Sequence, residues 1–84
     1  MKTNFKMKEA TNKEEAIISI LDVMKENCVW LNKCTSKEFA VVYNLHNTKE
    51  REEWLNLMTF SDVRDLFIEI KKEYYNAIDW TNKF

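Results

Sequence analysis

Residues 35–58 read TSKEFAVVYNLHNTKEREEWLNLM, and the fold class turns on how their first half is read. Phe39, Val42, Tyr43 and His46 stand at offsets 0, 3, 4 and 7, the spacing of one helix face. Phe39, Val41, Tyr43 and Leu45 also alternate, the spacing of one strand face. Two pairs three residues apart favour the helix. Thr35 precedes Glu38, and Asn47 precedes Glu50, each resembling a capping box in which side chains satisfy the free amides of a helix start. The stretch is therefore read as two short helices, the second carrying Trp54, Leu57 and Met58 as its apolar stripe.

Downstream the pattern is clearer. Thr59 with Asp62, or Ser61 alone, starts a fourth helix whose stripe is Val63, Leu66, Phe67, Ile70, Tyr74, Ala77 and Ile78. Asp62 and Asp65 suit its positive N-terminus. Upstream, Thr11 with Glu14 or Asn12 with Glu15 caps a first helix. Ile17, Ile20, Leu21, Met24, Cys28 and Leu31 line one face of it, so it is expected over 12–32. Cys28-Val29-Trp30-Leu31 also has the composition of a strand. The expected fold is all-α: two long amphipathic helices closed by a short central pair over 36–58. The alternative is α+β, with a small antiparallel sheet from residues 28–60 between two helices. Residues 1–10 lack periodicity and read as a flexible arm before a single domain at 11–84.

Eighty-four residues suffice for one domain that buries roughly 60–65 % of its unfolded surface. The chain has neither Gly nor Pro, where average usage would supply roughly ten. Without Pro nothing breaks a helix outright, and without Gly any left-handed residue must be Asn or Asp, with Asn27, Asn32, Asn44 and Asn47 as candidates. The same absence excludes the glycine-dependent phosphate loop and the dinucleotide fingerprint. No cofactor is expected.

Net charge is −1, which argues against a nonspecific nucleic-acid binder. Within 47–70, three cations stand against six acids, a local balance of −3, which reads as solvated helix faces or as a surface for a basic partner. The opening MKTNFKMKEA has lysines but no apolar run behind it, and no apolar stretch reaches membrane-spanning length. With only two cysteines this points to a cytoplasmic protein. Lys outnumbers Arg eleven to two, the bias of an A/T-rich coding sequence such as those of low-GC bacteria and their phages and plasmids.

Catalytic candidates are few. Cys28 and Cys34, six apart, would point about 120° from each other on a helix and should not pair within it. Two cysteines and His46 fall short of the four ligands of a structural zinc site. His46 has no nucleophile motif beside it. The chain is expected not to be an enzyme.

Lys37-Glu38-Phe39-Ala40, then Asn44 four residues beyond Ala40 and apolar Leu45, resemble a helix-turn-helix unit. The resemblance covers the 24 residues of 35–58. It implies a DNA-facing second helix, with Lys49 and Arg51 as its phosphate contacts. The chain departs from the pattern twice: Asn44 stands where many members have Gly, and Glu50 where an aliphatic residue is usual. Lys49-Glu50-Arg51-Glu52-Glu53 nets −1, and each acid there opposes a phosphate.

Eleven aromatics remain. Phe39, Trp54, Phe67 and Tyr74 fall on the core stripes. Trp30, Tyr75, Trp80 and Phe84 fall off them or near the end, and Trp or Tyr beside charge often anchors a protein partner. These four, with the acids Glu50, Glu52 and Glu53, are the expected protein-binding residues. The leading functional expectation is a small non-enzymatic interaction protein, an accessory regulator or inhibitor encoded by a phage or plasmid. The alternative is a helix-turn-helix regulator of transcription. Ile68 and Tyr75, outside the last helix's stripe, leave room for a homodimer.

Overall fold

The computed structural model describes residues 7–82, with side chains through Ile78. Among the described residues the protein is all-α: α1 (Lys13–Glu26), a 3₁₀ turn (Val29–Lys33), α2 (Lys37–Tyr43), α3 (Thr48–Leu57) and α4 (Phe60–Asn82), with no strand. The α+β alternative is set aside. In 35–58 the helical spacing prevails over the alternating one: Phe39 and Val42 are buried, while Val41 is exposed.

The starts follow local chemistry. Asn12 caps α1 by accepting from the Glu15 amide at 2.8 Å, and Glu15 accepts in return from the Thr11 amide and hydroxyl. Asn47 caps α3 by accepting from the Glu50 amide at 2.8 Å. Thr59 Oγ1 accepts from the Asp62 amide where α4 begins. At α2 the expected Thr35–Glu38 pair does not form. Ser36 is the cap, accepting from the Phe39 amide. The carboxylate comes from α4 instead: Glu69 accepts from the amides of Thr35 and Ser36 and from the Ser36 hydroxyl. A distant acid does here what a local one was expected to do.

The first helix ends at Glu26, not at residue 32. Asn27 takes φ 52°, ψ 46°, the one positive φ among the described residues, and Cys28 is extended. Asparagine tolerates this conformation better than most residues, so it stops the helix without glycine. The Tyr43 hydroxyl donates to Asn27 Oδ1 at 2.6 Å and fixes that corner. Past it, the 3₁₀ turn still delivers Leu31 to the core. Leu31 therefore kept its expected place while the backbone between changed direction.

One core draws on every element. α1 packs on α4 and α3, the 3₁₀ turn on α4, and α2 on α3 and α4. Ile17, Ile20, Leu21 and Met24 of α1 meet Val63, Leu66, Phe67 and Ile70 of α4 within this cluster. Leu31, Phe39, Val42 and Leu55 join it. Met7 is also buried in it. The Ser19 hydroxyl, itself buried, donates to the Lys8 carbonyl at 2.9 Å. Glu9 pairs with Lys71 and accepts from the Tyr75 hydroxyl. Residues 7–10 thus pack as a strap, with Met7 supplying apolar area that a small core can use. Residues 1–6 lie outside the described residues.

Candidate functional site

α3 contradicts the stripe expected of it. Leu55 is fully buried and Met58 half-buried, whereas Trp54 is 46 % and Leu57 81 % exposed. The inward positions are Arg51, Leu55 and Met58, at offsets 0, 4 and 7. Arg51 sets this register. Its guanidinium donates to the carbonyls of Val42 at 3.3 Å and Tyr43 at 2.9 Å, and it lies over the Tyr43 ring. Both carbonyls belong to the last turn of α2, and that of Val42 also accepts from the Leu45 amide at 3.2 Å. An inward arginine rotates Trp54 and Leu57 toward water.

Leu57 and Trp54 are three apart and so are neighbours on one helix face. Glu50 precedes Trp54 by four residues and Glu53 precedes Leu57 by four, which places each acid one turn from an apolar side chain. Phe60, 47 % exposed, opens α4 three residues beyond Leu57. It also walls a groove of about 180 Å³ with Ala10, Thr11, Ala16, Arg64 and Phe67. Lys13 Nζ donates to the Asn56 carbonyl at 3.0 Å and holds the end of α3 beside the start of α1. The result is three large exposed apolar side chains within seven residues, Trp54 and Leu57 on the anchored helix α3 and Phe60 at the start of α4, with acids beside the first two.

The expected protein-binding residues are scattered. Glu50, Glu52 and Glu53 are exposed on α3. Tyr75 is exposed on α4, but its hydroxyl is held by Glu9. Trp30 is half-buried, packed on the core with its ring 5.8 Å from that of Tyr74. Its Nε1 is sealed from solvent. The side chains of Trp80 and Phe84 lie outside the described residues. Of the two cations assigned to a DNA-facing helix, Lys49 is exposed and Arg51 is turned to the α2 carbonyls. Trp54 and Leu57 were missed as surface residues. The signal that could have found them is Arg51-x₃-Leu55, which gives α3 a second, competing stripe.

Neither thiol is activated. Burial, reinforced by the nearby charges of Glu69 and Glu73, pushes Cys34 up to about 12. Burial also raises Cys28, helped by Glu26 and partly offset by the Trp30 N–H. His46 is exposed in the turn after α2. A second cavity, of about 220 Å³, is lined by Ser36, Glu38, Asp62, Asp65, Leu66 and Glu69. Its Glu69 carboxylate is engaged in capping α2. Among the described residues no group of three His, Cys, Asp or Glu could hold a metal ion, and no helix is long and apolar enough to cross a membrane. No protein-family model, curated protein or solved structure matches this chain.

Proposed function

We propose that this chain is a small non-enzymatic protein–protein interaction module that works through the outer face of α3 and its corner with α4. The observation that carries the reading is Leu57, 81 % exposed beside Trp54 on an anchored helix. Leaving a leucine in water forgoes roughly 1.5–3 kcal/mol of burial. The fold does not need it there, because Leu55 and Met58 already attach α3 to the core. Apolar side chains clustered on an otherwise polar helix are what a contact surface requires, and tryptophan is frequent at the energetic centre of interfaces. The acids Glu50, Glu52 and Glu53 belong to the same surface. A role as a cytoplasmic regulator or inhibitor carried by a mobile element of a low-GC host rests on the lysine bias.

The test is affinity capture from lysate of a low-GC bacterium, with and without nuclease and at two salt concentrations. The wild-type protein should retain a stoichiometric protein that survives nuclease, and Trp54→Ser/Leu57→Ser should lose it. Equal capture by the variant would remove α3 from the surface. Recovery of DNA that vanishes with salt or nuclease would overturn the reading in favour of nucleic-acid binding.

A further inference from the structure

We infer that the α3 surface takes a cationic amphipathic segment of another protein, with apolar side chains on Trp54 and Leu57 and lysine or arginine over Glu50 and Glu53. The inference rests on the reading of α3 as the contact surface and adds the chemistry of its occupant. Around the helix the order is Trp54, Glu50, Leu57, Glu53, so apolar and acidic side chains alternate across one face. The cations that could neutralise these acids are otherwise engaged. Arg51 is spent on the Val42 and Tyr43 carbonyls, and Lys13 on the Asn56 carbonyl. Lys49 stands against three acids on α3: Glu50, Glu52 and Glu53.

That imbalance selects among occupants. A purely apolar segment would cover Leu57 and strip water from carboxylates without pairing them, which is costly. An acidic segment would add like charge. A second copy docked by a two-fold axis would bring two copies of the same acidic face together. A cationic segment buries the apolar pair and pairs the acids at once. Complementary charge of this kind contributes mostly specificity and association rate, with the apolar pair supplying most of the affinity.

Two synthetic peptides about four turns long test this. One has a leucine face and a lysine face; the other replaces each lysine by glutamate. Fluorescence anisotropy should show the lysine peptide binding the wild-type protein roughly tenfold more tightly or better, two ion pairs at moderate salt accounting for about that ratio. Glu50→Lys/Glu53→Lys should reverse the preference, and Trp54→Ser/Leu57→Ser should weaken both peptides. All four positions are exposed, so helical circular dichroism should be unchanged in each variant. Several outcomes would overturn the inference: binding of neither peptide, a preference that charge reversal leaves unmoved, or light scattering that reveals a dimer dependent on Leu57. Equal affinity for both peptides that still falls with Leu57→Ser would remove the cationic occupant and leave the contact surface standing. Loss of the surface itself would show instead in the capture experiment.

Discussion

Glu69 accepts three hydrogen bonds from residues more than thirty positions earlier, and that one carboxylate holds the start of α2 against α4. Removing a helix cap costs roughly 0.5–2 kcal/mol, and charged hydrogen bonds lie toward the upper end. Glu69→Ala should therefore lower the urea unfolding free energy by about 1–2 kcal/mol, while Glu38→Ala, the locally expected cap, should change it little. Glu9 makes a different point. Hydrogen bonding from Lys71 is the largest influence on its carboxyl and holds it below the usual glutamate range. A lowered folded-state pKa contributes stability above the unfolded value and loses it as pH falls through the folded one. Glu9→Gln should thus reduce the melting temperature at neutral pH, and the difference from wild type should disappear at pH about 2. The residue is exposed, so the effect will shrink with added salt.

At the scale of elements, what the sequence revealed depended on whether the deciding chemistry was local. Asn47 and Thr59 mark the starts of α3 and α4 correctly because each cap and its amide lie three residues apart. The stripe of α4 was legible because Val63, Leu66, Phe67, Ile70 and Tyr74 repeat on one face and all are buried. The end of α1 was not, since Cys28 and Leu31 continue the helical spacing through a corner made by Asn27. The face of α3 was not, because its register answers to the last-turn carbonyls of α2, which only the folded corner brings to Arg51. The expected binding set shared that fault: it kept the α3 acids but gave Trp54 to the core. A paired measurement checks the corrected register. Leu55→Ala should cost about 2–5 kcal/mol of stability, the range for buried leucines. Leu57→Ala should stay within roughly 0.5 kcal/mol of wild type, as surface changes do. If the two costs were reversed, α3 would be turned the other way.

For the whole molecule, size sets how much each buried side chain matters. A core of this span has little apolar area in reserve, so a residue recruited from outside the helices weighs more than it would in a larger domain. Met7 is such a residue. It lies in the same cluster as Ile20 and Ile70, and the strap that delivers it is held at Lys8 by Ser19 and at Glu9 by Lys71. The strap has no secondary structure of its own, so its order depends wholly on these anchors. It should open before the helices do, as segments with few buried contacts generally exchange first. Met7→Ala is then expected to cost about 2 kcal/mol, the lower end for a buried methionine, since a strap can shift to fill part of the cavity. Leu66→Asp, which puts a charge into the centre of the α1–α4 seam, should abolish cooperative unfolding altogether. Amide exchange would separate the two changes. In Met7→Ala the amides of α1 and α4 should stay protected; in Leu66→Asp protection should vanish throughout. Loss of protection everywhere in Met7→Ala would mean that the strap is integral to the core and that the helices do not hold together without it.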